Sequence, residues 1–378
     1  MKVVFLSLKG FAGIGGIEKV NRLVMRVLTD LKEMRQIGDF RALSAYDETC
    51  DTRYIPSAAF VGFGGNRIAF SLAAVRAGIS ADVVILSHIN LAPVVLAIKA
   101  LRPRVKLLLI AHGIEIWPRQ SAIKKALMMR CERMLAISHF TKNKVIEVNG
   151  IPASGVEVLH NSIDPFLKIP QRFEKPEHLL RRYGLQFDDQ ILITVTRMST
   201  FEKFKGYDRV IESVARLKFQ FPRIKYLLAG KCDEAERQRL TQMIQSLGLQ
   251  NQVILTGFVK EEELTDHFLL GDIFVMPSKK EGFGIVFIEA LACGMTVIAG
   301  NKDGSVDAIR NGTWGLLTDP DDTDEIRETI VKGLNSIGQV TQEDKKRKSE
   351  EVINTFGFQA YRSNWQRILR NATPSHHP

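Results

Sequence analysis

Short apolar runs, many rich in β-branched residues, alternate with longer amphipathic segments along the whole chain, and few folds accommodate that alternation. In the first half the runs are KVVFLSL, DFRALSAY, ADVVILSH, VKLLLIAH, RMLAISH and VEVLHNSI. In the second they are QILITVTR, IKYLLAGK, QVILTGF, DIFVMPS, MTVIAG and WGLLTD. Apolar residues at consecutive positions suit strands covered on both faces, as in parallel sheets. Between them lie segments such as EKVNRLVMRVLTDLKEM, where Val20, Leu23, Val24, Val27, Leu28 and Leu31 fall at helical spacing. Strand–helix alternation builds doubly wound α/β domains, and two such series predict two domains. The break falls in SIDPFLKIPQRFEKPEHL, where Pro165, Pro170 and Pro176 interrupt any regular element. The expected division is 1–168 and 169–357, with a final helix at about 358–371 packing back on the first domain. A chain of 378 residues is long enough for two cores. The closing NATPSHHP reads as a loose tail with no assigned role.

Cysteine usage and hydropathy narrow the function classes. The four cysteines are far apart and form no C-x-x-C, so neither a zinc ribbon nor a redox dithiol is signalled. Few cysteines in a long chain fit a reducing compartment. The longest uncharged stretch, Val83 to Ile98, contains Ser87, His88, Asn90 and Pro93 and is too short and polar to span a bilayer. A soluble or peripheral protein is expected. The net charge of +10 is uneven: residues 1–170 carry 23 Lys and Arg against 13 Asp and Glu, while the remainder balances at 29 each. A basic half suggests an acidic partner, such as an anionic membrane, a phosphorylated acceptor or nucleic acid, or else a merely solubilising surface.

Ligands of open α/β sheets bind beyond the carboxyl ends of the strands, so chemistry is expected in the loops there. The first loop, LKGFAGIGGIEKV, places Gly13, Gly15 and Gly16 ahead of a helix starting near Ile17. Such glycines let backbone approach a phosphate or sugar. The match to a dinucleotide fingerprint is loose: the glycines read G-x-x-G-x-G-G, and the second strand ends in LSAYDET. A structural turn is also open. In the second loop, His112 follows a strand and precedes Gly113, placed either to meet a substrate or to bond a neighbouring strand. In the third, Arg197 ends a strand and Lys205-Gly206 opens a helix, a pair of cations suited to a pyrophosphate. The fourth is KKEGFGIVFIEALACG. Glu281 lies in the loop, Gly282 and Gly284 offer backbone N–H groups, and Glu289 lies in the helix that begins near Ile285. Ionised carboxylates accept hydroxyl hydrogen bonds well, so one could hold a ribose and the other a sugar ring.

Glu281 and Glu289, with seven residues between them, resemble the E-x7-E motif of retaining glycosyltransferases of the GT-B fold, family 4 (glycosyl transferases group 1). MPSKKEGFGIVFIEALACGMTVIAG is similar to the family pattern along its length. Arg197 with Lys205-Gly206, GIGGIEKV, AHGIEIW, AISHFTK and VLHNSID resemble further landmarks, so the likeness covers nearly the whole chain. It implies an α/β GT-B architecture, with two Rossmann-like domains facing a central cleft. It also implies that Glu289 binds the donor ribose and Glu281 the donor sugar, near the backbone of Gly282, Phe283, Gly284 and Ile285. Arg197 and Lys205 would bind the diphosphate as it leaves. Gly15 and Gly16 would approach it from the other domain, and His112 would sit at the sugar.

The implied reaction transfers a hexose from a UDP- or GDP-sugar, with retention of configuration. The implied acceptor is lipid-linked, a polysaccharide or a glycolipid, met by a peripheral protein at the cytoplasmic face of the membrane. Neither cofactor nor metal is expected, and nucleic acid is not an expected partner. The DPD at Asp319–Asp321 matches a metal-binding D-x-D in letters but reads as a turn and helix cap. In SAIKKALMMRCERM, Ile123, Leu127 and Met128 could enter an interface beside Lys124, Lys125 and Arg130, or the helix could pack on the sheet. A synthase with a soluble sugar or sugar-phosphate acceptor, a dinucleotide oxidoreductase and a non-catalytic binding protein remain as alternatives.

Overall fold

The computed structural model describes residues 1–372, so all but the first two residues of the NATPSHHP tail lie outside the described residues. The chain divides into two compact units: residues 1–164 with the segment from Phe356 onward, and Pro165–Thr355.

The N-terminal unit is built on a parallel sheet of seven strands: β1 (Lys2–Ser7), β2 (Asp39–Ser44), β3 (Phe60–Gly62), β4 (Val83–Leu86), β5 (Lys106–Ala111), β6 (Arg133–Ala136) and β7 (Val156–Val158). Their order is β3-β2-β1-β4-β5-β6-β7. Val3–Leu6 of β1 are fully buried, and β1 is a central strand with parallel neighbours on both edges, β2 and β4. The order reverses between β1 and β4, which makes that the switch point of the sheet. The helices are α1 (Gly16–Glu33), α2 (Arg67–Gly78), α3 (Ala92–Leu101), α4 (Ala122–Met128) and α5 (His139–Asn149). Every apolar position picked out by spacing in α1, from Val20 to Leu31, is buried.

In α4, Leu127 and Met128 are buried, whereas Ile123 is 57% exposed. Burying a side chain of that size contributes about 1.5–3 kcal/mol, so the sheet, not an interface, claims Leu127 and Met128. Strand β3 went unread in the sequence, since FVG is three residues long and lies at the sheet edge.

The second unit repeats the plan with six parallel strands: β8 (Gln190–Val195), β9 (Ile224–Ala229), β10 (Val253–Gly257), β11 (Ile273–Met276), β12 (Thr296–Gly300) and β13 (Leu316–Thr318). Their order is β10-β9-β8-β11-β12-β13, with the switch point between β8 and β11. The helices are α6 (Glu177–Tyr183), α7 (Tyr207–Leu217), α8 (Glu234–Ser246), α9 (Leu264–Leu270), α10 (Ile285–Ala292), α11 (Ser305–Ala308), α12 (Thr323–Ser336) and α13 (Gln342–Phe356).

The last helix, α14 (Phe358–Ala372), belongs to the N-terminal unit and packs on α1. Tyr361, Trp365, Ile368 and Leu369 are buried, and Arg362 bonds Asp30 of α1 at 2.6 Å. The Phe356 carbonyl accepts from the Ile163 N–H and the Ser162 hydroxyl, both at 2.9 Å. Among the described residues no helix is long and apolar enough to cross a membrane.

Candidate active site

In the second unit the residues singled out by sequence gather beyond β8 and β11, the two strands that flank the switch point. The loop after β8 carries Arg197 and reaches α7 through Lys205 and Gly206. Gly206 has φ of 81°, and a Cβ on it would come within 2.3 Å of the Pro277 carbonyl oxygen just past β11. Glycine at this position lets the two loops touch. Lys205 thereby reaches Glu281, and the two form an ion pair that is largely buried. The Lys279 N–H donates to the Phe204 carbonyl at 3.0 Å, a second tie between the loops.

Arg197 has a carboxylate partner of its own. It stands just past the end of β8, its side chain 59% exposed, and its guanidinium forms a fork with Glu202, with Nε at 2.7 Å from Oε2. The structure therefore joins Lys205 to Glu281 and Arg197 to Glu202.

At the start of α10, Gly284 has φ of 82°, and a Cβ on it would meet the Phe287 ring at 2.3 Å. Phe283, Ile285 and Glu289 are buried, and Gly282 is half-buried. Glu289 sits on the second turn of α10, within the same element that Glu281 leads into.

Behind Glu281 lies a group that sequence reasoning missed. Asp303, after β12, accepts the Glu281 N–H at 2.7 Å, and Gly304 returns its own N–H to the Glu281 carbonyl at 2.9 Å. Burial pushes the Asp303 carboxyl up to about 6, and the Glu281 charge adds to the effect, although its hydrogen bonds pull the other way. The DPD segment is a charged turn. Asp319 and Asp321 both bond Lys302, at 2.7 and 2.8 Å, and Asp321 also pairs with Lys279. The cap of α12 is Asp322, which accepts the N–H groups of Asp324 and Glu325.

In the N-terminal unit the glycine loop is organised by Asp47, which is fully buried. Its oxygens accept the N–H groups of Gly10 (2.6 Å), Phe11 (2.9 Å) and Ala12 (2.5 Å) and the Ser44 hydroxyl (2.6 Å). Asp47 is the acidic residue that a dinucleotide site would present to a ribose. Here its oxygens face four donors of its own chain. Gly13 and Gly15 lie under the Glu18 side chain, while nothing lies within 4 Å of a Cβ built on Gly16. Gly15 caps α1 with an extended backbone.

His112, just past β5, is buried, and neither ring nitrogen has a hydrogen-bond partner of normal geometry among the described residues. Burial first, then nearby His88, hold its pKa down to about 3, with the Ser87 backbone weakly opposed, so the ring is neutral at physiological pH. Its own N–H and that of Gly113 donate to Glu115, at 2.7 and 3.1 Å. Burial and then Lys124 lower His88 to about 4. Glu115 and His88 carried no signal in the sequence beyond their position after strands.

Two family models match consecutive parts of the chain: Glycosyltransferase Family 4 over residues 14–166, and Glycosyl transferases group 1 over residues 180–349. The chain belongs to the group 1 glycosyltransferases. Its two parallel-sheet α/β domains, of seven and six strands, are those of the GT-B fold. Among curated relatives, this glycosyltransferase is 28% identical over 208 residues to mannosylfructose-phosphate synthase of Agrobacterium fabrum, covering 53% of the chain and 45% of the relative. It is 28% identical over 201 residues to the GDP-mannose-dependent alpha-(1-6)-phosphatidylinositol monomannoside mannosyltransferase of Mycolicibacterium smegmatis, covering 51% and 50%. The match thus spans about half the length of each. The crystal structure of Anabaena HepE in complex with UDP superposes with a TM-score of 0.80 at 19% identity, covering 98% of this chain and 100% of that one. At that identity the likeness is one of fold.

Proposed function

We propose that this glycosyltransferase moves a hexose from a UDP- or GDP-sugar, with retention of configuration, to a lipid-linked or glycan acceptor at an anionic membrane surface. The observation that carries the reading is the meeting of Lys205 and Glu281 beyond the two strands of a switch point. One group suits the charge of a diphosphate, the other the hydroxyls of a sugar. Lys205 and Arg197 are each neutralised by a carboxylate, so a diphosphate binds by exchanging Glu281 and Glu202 for its own oxygens. Glu281, released, accepts from sugar hydroxyls, and Glu289 from the ribose diol. The backbone of Gly282 to Ile285 lies beside the sugar.

In the reaction the acceptor oxygen bonds to the anomeric carbon on the face from which the diphosphate departs. The electron pair of the breaking C–O bond goes to the β-phosphate oxygen, and the acceptor proton follows it there. Cations fixed where that charge develops lower the barrier. His112, held neutral, offers hydrogen bonds rather than charge to a ligand.

The membrane part of the proposal rests on the layer of α2, α3 and α4. Helix α3 packs against both of the others. Between Asn66 and Cys131 the chain has ten Lys and Arg and two acidic residues. Of these, Asp82 pairs with Arg102 at 3.3 Å, and Glu115 is occupied at His112 and Gly113. Ile68, Leu72, Leu101, Ile123 and Met129 stand exposed in this basic setting, a combination suited to anionic lipid. A second reading, transfer to a soluble sugar phosphate, is favoured by the likeness to mannosylfructose-phosphate synthase. A dinucleotide oxidoreductase is disfavoured by the engagement of Asp47.

The test is calorimetric titration with UDP, GDP, ADP and NAD without added metal, followed by sedimentation with anionic and neutral vesicles. Selective binding of UDP or GDP supports the transferase site, and binding of NAD alone refutes it. Recruitment to anionic vesicles that Leu72→Glu abolishes supports the membrane acceptor. No recruitment, with turnover on a free sugar phosphate, selects the second reading.

A further inference from the structure

Beyond β12 the chain turns through Asn301 and Lys302 to Asp303, which is 2% exposed. Its Oδ2 accepts the Glu281 N–H at 2.7 Å. Its Oδ1 accepts the Ser305 N–H at 2.9 Å and faces the Ser305 hydroxyl at 2.5 Å. Gly304, the next residue, donates to the Glu281 carbonyl at 2.9 Å, and a Cβ there would lie 2.1 Å from the Gly282 oxygen. Two consecutive residues of one loop thus hold both sides of the Glu281 backbone, while the Glu281 side chain pairs with Lys205. We infer that Asp303 is a positioning residue for the transfer reaction, its ionised carboxylate fixing the backbone of Glu281 so that the side chain meets both Lys205 and the donor sugar. This rests on the donor site proposed above.

The need for charge follows from the donors. Two N–H groups face the two oxygens of Asp303, one on each, so a proton or an amide NH2 on either oxygen weakens one side of the clamp. A buried carboxylate is costly to ionise, and the incomplete compensation here is what leaves Asp303 titrating at about 6. The charged surroundings are few. Glu281 faces it from the loop after β11 and is neutralised by Lys205. Lys302, beside it in sequence, bonds Asp319 and Asp321, and Asp307 follows within α11.

The folded-state pKa is raised above the ordinary aspartate range, so the favourable contribution of Asp303 to stability is present at low pH and lost as pH rises through about 6. In Asp303→Asn the relief of a buried charge opposes the loss of a clamp bond, so the melting temperature at neutral pH is expected to change little.

The experiment measures donor kcat and KM across the acid range for the full chain, for Asp303→Asn and for Ser305→Ala, with melting temperatures and amide hydrogen exchange at Glu281 and Gly304. The wild-type kcat falls on the acid side with a midpoint near 6. In Asp303→Asn, kcat drops about tenfold or more, the scale of one lost charge-assisted hydrogen bond. Its donor KM changes little, the acid limb disappears, and exchange at Glu281 quickens. In Ser305→Ala, the loss of a bond that favours the ionised form moves the acid limb to higher pH. Wild-type turnover in Asp303→Asn, loss of turnover only alongside a lower melting temperature, or unchanged exchange at Glu281 each overturn the inference. A wild-type protein that neither binds nor turns over a nucleotide sugar refutes the donor site instead, and the exchange measurement still decides whether Asp303 sets the Glu281 backbone.

Discussion

Asp47→Asn isolates one buried group with four donors on it. The carboxylate presents two oxygens, Oδ2 to Gly10 and Ser44 and Oδ1 to Phe11 and Ala12. An asparagine of nearly the same shape presents one oxygen and one NH2; with the oxygen toward Phe11 and Ala12, the Ser44 hydroxyl turns to the Leu8 carbonyl and accepts from the NH2, and the Gly10 N–H alone loses its acceptor. A hydrogen bond to a charged group contributes about 1.5–3 kcal/mol. For a domain of this size the loss of one is a fall of about 3–12 °C in Tm. The assay is thermal unfolding followed by tryptophan fluorescence in a Trp314→Phe background, where both remaining tryptophans, Trp117 and Trp365, lie in the N-terminal unit. Hydrogen exchange across Gly10–Ala12 reports the loop directly. A loss below about 1 kcal/mol, with exchange unchanged, refutes the assignment of Asp47 as the organiser of the loop. A variant that folds normally but loses NAD binding restores the dinucleotide reading.

Other perturbations follow from the same geometry. Lys205→Ala raises the Kd for UDP or GDP by about 10- to 150-fold, corresponding to about 1.5–3 kcal/mol for a charge-assisted contact. Calorimetry checks this, and unchanged affinity removes Lys205 from the diphosphate. Gly206→Ala must hold a left-handed backbone at about 1–2 kcal/mol and push the Pro277 carbonyl aside at about 1–3 kcal/mol. Urea unfolding of the second unit then shows a loss of about 2–5 kcal/mol, and a loss under about 1 kcal/mol contradicts the contact. His112 and His88, depressed to about 3 and about 4, make stability complete above the usual histidine range and progressively lost below it. Unfolding of the N-terminal unit between about pH 7 and 4 measures that slope, and its absence in wild type contradicts the buried, neutral state.

The sequence was most legible where local chemistry is strong. Consecutive apolar residues marked the strands, and the 3.6-residue period of α1 matched its buried face position by position. Lys205, Gly206 and Glu281 could be picked out because cations, glycines and carboxylates after strands are unusual enough to stand out. Asp303 and Asp47 could not, since what distinguishes them is a long-range partner: Glu281 is 22 residues from Asp303, and Gly10 is 37 from Asp47. The Arg197–Glu202 fork is a matter of loop conformation, which composition does not encode. Helix α4 carries apolar residues on two sides. Periodicity named Leu127, Met128 and Ile123 together, and only packing separated the buried pair from the exposed one.

The return of the chain at Phe356 bears on how the protein is made. The unit Pro165–Thr355 is continuous and can begin to fold as soon as it clears the ribosome. The N-terminal unit, although synthesised first, lacks α14 until more than two hundred residues later, so the surface of α1 around Asp30 waits uncovered through the synthesis of an entire second domain. The first domain to leave the ribosome is therefore the last to be completed, and removing Phe358–Ala372 would injure the start of the protein rather than its end.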